Sequence, residues 1–139
     1  MEKISLLKET DIFKNVREGD LTDIASVLEE QSLKAGDVIF NKGDVGNCMY
    51  LIHEGSVRIH DGSYTLALLG KNEVFGELSL LDAETRSATA TCEEDSILFK
   101  LGQDTFYNIL SKDQEVLKGI LKMLCRRIRI LDAKSAQNQ

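Results

Sequence analysis

Residues 33–60 read LKAGDVIFNKGDVGNCMYLIHEGSVRIH. Short apolar or alternating runs (DVIF at 37–40, CMYLIH at 48–53, SVRIH at 56–60) are broken by glycines and polar residues. Seven of the ten glycines of the chain lie between Gly36 and Gly76. HEGS (53–56) and DGS (61–63) have the composition of hairpin turns, and YTLALL (64–69) follows as another strand. Beyond Arg86, SATATC (87–92) and SILFKL (96–101) add two more around the turn EEDS. Short strands separated by turn signals at such close spacing predict an antiparallel sandwich or barrel.

Outward from this centre the periodicity changes. Ile4, Leu6 and Leu7 mark a short amphipathic turn, and DLTDIASVLEEQ (20–31) places Leu21, Ile24, Ala25 and Leu28 on one helical face. Asp20 is the expected N-cap, with Asp23 three residues on. Small helices are therefore expected over the first 30 residues, with strands from Ala35. After Gly102, QDTFYNIL is a short helix, and residues 113–133 form a longer one with a stripe of Leu117, Ile120, Leu121, Leu124, Ile128 and Leu131. The tail KSAQNQ is polar and expected to fray. The expected organisation is one domain over 1–139, of α+β or mainly β class: helices at 1–32, a barrel at 33–101, helices at 103–132 and a frayed tail at 133–139.

The chain has 139 residues, 29% charged and 42% hydrophobic, with a net charge of −6. That balance argues against a nucleic-acid-binding face, which needs dense basic charge. No run of about 18 apolar residues occurs, so no membrane insertion is expected. Cys48, Cys92 and Cys125 have no CxxC spacing and read as three reduced core thiols of a cytoplasmic protein. His53 and His60 could meet across the HEGS turn as a cupin-like metal pair, but the ordinary reading is two histidines without a metal. No nucleophile elbow, phosphate-binding GxxxxGK or GxGxxG motif is present. No catalytic residue, metal or cofactor is assigned, and the chain is read as not an enzyme.

The stretch VFGELSLLDAETRSATA (74–90) carries the chemistry. Gly76 ends a strand and permits close approach of a backbone or ligand, and ELSLL can start a helix whose N–H groups attract an anion. Arg86 returns beside that helix start, and its planar fork suits two phosphate oxygens, with the Ser87 hydroxyl adjacent. Glu77 only accepts hydrogen bonds and so calls for a hydroxyl. A ribose 3′,5′-cyclic phosphate offers one anionic diester and one free hydroxyl. A plain Glu77–Arg86 ion pair closing the loop is the competing reading.

FGELSLLDAETRSATA resembles the phosphate-binding cassette of the cyclic nucleotide-binding domain family, here at 75–88, and the glycine-punctuated strands upstream are similar to that family's. The resemblance covers nearly the whole chain. It implies an eight-stranded antiparallel jelly-roll barrel with flanking N- and C-terminal helices. It implies that Glu77 binds the ribose 2′-hydroxyl and that Arg86 pairs with the cyclic phosphate of cAMP or cGMP. Ser87 would donate to the phosphate, and backbone groups around Gly76, Leu78, Ser79 and Ala88 would complete the cradle. Thr85 stands where many members have proline, which predicts a less preorganised turn. The last helix would be a lid: Leu124 and Ile128 cover the base, and Arg126 or Arg127 stacks on it or lies on a solvated face. The implied role is a non-enzymatic sensor acting through an effector protein or a homodimer partner. A nucleotide-independent interaction module is the alternative, because the terminal stripe also fits heptad spacing.

Overall fold

The computed structural model describes residues 2–10, 12–14, 16–76, 79–80 and 84–137. Helices α1 (Glu2–Lys8) and α2 (Glu18–Ser26) precede strands β1 (Glu29–Leu33), β2 (Val38–Phe40), β3 (Cys48–Glu54), β4 (Val57–Asp61), β5 (Tyr64–Leu69), β6 (Val74–Phe75), β7 (Thr89–Cys92) and β8 (Ser96–Gly102). Helices α3 (Gln103–Lys112) and α4 (Gln114–Gln137) follow. Among the described residues the strands form two four-stranded sheets, ordered β1-β8-β3-β6 and β2-β7-β4-β5, antiparallel throughout. This is the expected jelly roll with flanking helices.

The order explains the glycines. DGS closes a true hairpin, with Asp61 opposite Tyr64 and Gly62 at φ 59°. HEGS does not, because β3 and β4 lie in different sheets. Gly55, at φ 94°, turns the chain from one sheet to the other, and a Cβ there would lie 2.6 Å from the Asp95 carbonyl. EEDS likewise carries β7 across to β8.

Strand β3 is buried on both faces. Cys48, Tyr50 and Ile52 point between the sheets with Val57, Phe75, Ala90 and Leu98. Met49 and Leu51 point outward, where Leu21, Ile24, Phe99, Phe106, Val116 and Ile120 form a second core under the helices. An apolar run without alternation is what such a strand requires. Burying each Leu or Ile there contributes about 2 kcal/mol. Phe13 meets Phe106 edge to face at 6.4 Å and joins the N-terminal segment to α3.

Several boundaries differ from the sequence reading. Strand β1 begins at Glu29, ahead of both Ala35 and residue 33, because EEQSL is an edge strand whose polar side chains carry no alternation. Helix α4 runs to Gln137, past the expected limit at 132, since Ala133, Lys134 and Ala136 favour helix and no Gly or Pro breaks it. Its buried face is Val116, Ile120 and Met123, whereas Leu117, Leu121, Ile128 and Leu131 of the expected stripe are exposed. Cys48 and Cys92 are core thiols, but Cys125 is exposed on α4. No helix among the described residues is long and apolar enough to cross a membrane.

Asp20 is not the cap of α2; Arg17 occupies that position, and its Nε donates to Asp20 Oδ2 at 3.1 Å. Asp20 instead faces Asp113, which caps α4 by accepting from the N–H groups of Glu115 (2.9 Å) and Val116 (3.4 Å) on Oδ1. Asp113 Oδ2 is buried and meets no fixed donor. Its neighbour is another carboxyl, so the two bond only when one of them holds a proton. The Asp20 carboxyl first, and burial second, hold Asp113 above its ordinary value; the bond from Asp113 first, and Arg17 after it, hold Asp20 below. A carboxyl raised on folding contributes stability below its unfolded pKa and loses it as pH rises through the raised one. Asp113→Asn keeps the capping oxygen and removes the like charge. We expect it to melt at a higher temperature than the parent near pH 7, with the gain shrinking as pH falls toward about 4. A pH-independent difference in thermal midpoint would mean that the two carboxyls share no proton.

Candidate functional site

Arg86 is the most buried cation among the described residues, at 7% exposure. Three segments converge on it. Its Nη1 donates to Ser79 Oγ at 2.9 Å, and its Nη2 donates to the Cys48 carbonyl at 2.8 Å and lies 3.5 Å from the Cys48 sulfur. Its Cζ sits 4.1 Å from the centroid of the Phe40 ring. Two glycines leave the room: a Cβ on Gly46 would collide with Arg86 Nε and come within 2.6 Å of Ser79 Oγ, and one on Gly76 would lie 2.5 Å from Nη1. Gly76 also has φ 77°, which side chains rarely adopt. No ion pair among the described residues involves Arg86.

The backbone around the arginine is zipped to the β2–β3 loop. Arg86 N–H donates to Asp44 O (2.7 Å), Gly43 N–H to Arg86 O (2.8 Å) and Gly46 N–H to Glu84 O (3.2 Å), flanking a Val45–Thr85 bridge. Thr85, expected to loosen this turn, therefore lies in a segment held by three backbone bonds.

A cavity of about 380 Å³ opens beside the guanidinium. Phe40, Ile59, Val74, Phe75 and Ala88 form its apolar wall; Gly76, Ser79, Glu84, Thr85, Arg86 and Ser87 form the polar side. Its size and mixed lining suit a small ligand with one anionic end and one apolar end. Behind the wall, Tyr50 stacks on Phe75 at 5.1 Å, and burial first, then the hydrogen bond with Cys48, raises its phenol pKa.

Of the residues expected at the site, Gly76, Ser79, Arg86, Ser87 and Ala88 all line this cavity. Ser79 enters through its side chain as well, as the acceptor for Arg86. Glu77 and Leu78 lie outside the described residues, as do positions 81–83 of the connecting turn. Ser79 and Leu80 are helical. The expected lid residues Leu124, Arg126 and Arg127 do not line the cavity. Arg127 borders a separate hollow with Glu9, Asn72 and Met123; Arg126 borders another with Leu121 and Cys125. Leu124 packs partly buried against the helical core.

The histidines do not meet in a ladder, since β3 and β4 belong to different sheets. His53 lies 5.3 Å from the Phe99 ring; His60 bonds Gly62 O and Thr91 Oγ1, both at 2.8 Å. No group of three or more metal-ligating side chains occurs among the described residues. Sequence reasoning missed Phe40, Gly46 and Cys48 at the site. Gly46, a second glycine three residues after Gly43, carried a signal, since a turn needs one glycine and the other must answer to a close approach.

Comparison with known proteins gives a consistent result. A sequence model of the cyclic nucleotide-binding domain matches residues 30–113. The cyclic AMP receptor protein of Thermus thermophilus is 34% identical over 131 residues, covering 91% of this chain and 61% of that protein. The chain thus spans about three fifths of the length of this relative. The crystal structure of the N-terminal domain of a transcriptional regulator from Streptomyces coelicolor superposes with a TM-score of 0.87 at 30% identity, covering 94% of both chains. The regulatory domain of Toxoplasma gondii PKA, co-crystallised with cAMP, superposes with a TM-score of 0.72 at 29% identity, covering 78% of this chain and 43% of that one.

The glycine cradle yields a stability test. Gly46→Ala forces the guanidinium or the loop to move and should cost about 1–3 kcal/mol in urea denaturation. Gly19, inside α2 with open space where a Cβ would sit, is the contrast: Gly19→Ala should be neutral or stabilise by about 0.5–1 kcal/mol. Equal stability of Gly46→Ala and the parent would contradict the close packing around Arg86.

Proposed function

Because the chain belongs to the cyclic nucleotide-binding domain family, we propose that the cavity beside Arg86 binds a cyclic nucleotide, cAMP or cGMP, and that the chain acts as a non-enzymatic regulatory domain. The observation that carries this reading is the guanidinium itself. It is buried at the wall of a cavity with an apolar side and, among the described residues, contacts a hydroxyl, a carbonyl, a sulfur and a ring face. Arg86 pairs with the cyclic phosphate, Ser87 donates to it, and the backbone at Gly76, Leu78, Ser79 and Ala88 completes the cradle. Glu77 takes the ribose 2′-hydroxyl, and the base lies against the apolar wall. Ser79 is the natural relay. Its hydroxyl is released or retained as Arg86 engages phosphate, and its neighbour Leu80 is fully buried in the core shared with α3 and α4. Gln103 Nε2, at the start of α3, donates to Leu80 O at 3.1 Å and ties the cassette to the C-terminal helices.

In this reading the whole of 1–139 is one domain, and binding shifts the population of α4 positions, in one of which Leu124, Ile128 and Arg126 or Arg127 reach the base. The readout passes to an effector protein or a second copy in the cytoplasm, without nucleic acid, metal or membrane insertion. A second reading, a nucleotide-independent interaction module, is favoured by one observation. Leu117, Leu121, Ile128 and Leu131 are 40–62% exposed at heptad spacing on α4. Sedimentation separates the two: a dimer that forms equally with and without nucleotide, with no thermal shift on adding it, supports the second.

Calorimetric titration with cAMP and cGMP tests the proposal. The parent should bind at least one saturably, and Arg86→Leu should weaken binding by about 2–4 kcal/mol, the size of a lost buried charge pair. No heat with either nucleotide at millimolar concentration, or an unchanged affinity in Arg86→Leu, would overturn it.

A further inference from the structure

The partners of Arg86 present a physical puzzle. A guanidinium out of water is usually matched by a carboxylate. Here, among the described residues, the contacts are a hydroxyl, a carbonyl, a thiol and the face of an aromatic ring. None carries a formal negative charge. The ring face is the electron-rich side of the aromatic quadrupole and attracts a cation without cancelling its charge. A carboxylate in the same place would neutralise the arginine and compete with any incoming anion.

Phe40 also belongs to an aromatic cluster. Its ring lies 6.2 Å from Tyr50 and 6.0 Å from Phe75, and those two stack on each other. The ring offers Arg86 a platform from β2, on the strand that pairs with β7 just beyond the cassette. It lines the cavity at the same time.

We propose that Phe40 is a positioning residue for anion recognition: its π-face holds the Arg86 guanidinium in place, still fully charged, for the ligand's phosphate. The proposal rests on the cyclic nucleotide reading of this cavity. It predicts that affinity depends on the electron density of the ring and not merely on its bulk.

The test replaces Phe40 with 4-fluoro-, 3,5-difluoro- and 3,4,5-trifluorophenylalanine, which keep the shape and progressively drain the π-face, and titrates each protein with cAMP and cGMP. The dissociation constant should rise stepwise, reaching about ten-fold for the trifluoro ring. Phe40→Tyr should retain binding to within about two-fold, and Phe40→Leu should lose about as much as the trifluoro ring. Should the Leu variant fail to fold, the fluorinated series carries the test alone. In Arg86→Lys, whose compact ammonium lacks the planar fork, the fluorine dependence should shrink. A flat series in a parent that binds nucleotide through Arg86 overturns the role of Phe40 and leaves the site reading standing. Affinity that rises with fluorination means that the ring acts on the ligand directly and not through Arg86, and overturns it as well. If the unsubstituted protein binds neither nucleotide, both readings fall together.

Discussion

Removing a guanidinium from water costs several kcal/mol unless its donors find acceptors and its charge finds a polarisable or negative neighbour. Arg86 meets that constraint through parts supplied by three separate segments: the Phe40 ring, the Cys48 carbonyl with the open space at Gly46, and the Ser79 hydroxyl with the open space at Gly76. Each part depends on the sheets. Cys48 begins β3, Phe40 ends β2, and Gly76 follows β6, so the jelly-roll order is what brings them to one end of the barrel. Residues 43–46 are then drawn onto 84–86 by backbone bonds, which fixes the arginine's main chain as firmly as its side chain.

The two cores divide the labour. The inner one fills the barrel and ends at the cavity wall in Phe75 and its aromatic neighbours. The outer one buries the helices against Met49, Leu51, Phe99 and Leu101 and includes Leu80 from the cassette. Strand β3 belongs to both, so the carbonyl that receives Arg86 is attached to the most firmly buried strand. This gives a site with a buried floor and, through Leu80 and Gln103, a connection to helices that retain an exposed apolar face.

Much of this was legible in the sequence for identifiable reasons. The glycines between 36 and 76 marked turns because a backbone at positive φ excludes most other residues, and five of the ten glycines show it. Arg86 and Ser87 were legible only jointly: a close-approach glycine, a helix-start signal, a carboxylate and the arginine fall in register between two strands, whereas the arginine alone would read as an ion-pair partner. The edge strand β1 was not legible, since its half-exposed polar residues carry no period. The face of α4 was misplaced because its apolar residues surround much of the helix, and only packing selects Val116, Ile120 and Met123 over Leu117 and Leu121. Phe40 was hidden for a different reason: a phenylalanine in a short apolar strand looks like core, and only the folded chain lays an arginine across it.

On the reading proposed above, the buried Arg86 is the group that meets the ligand's phosphate. Side-chain NMR of the Arg86 guanidinium during titration with cAMP and cGMP addresses it most directly. A saturable shift of the Arg86 Nε–H resonance that follows the same binding curve as the calorimetric heat is expected. A nucleotide that binds with full heat while the Arg86 resonance stays in place would contradict it.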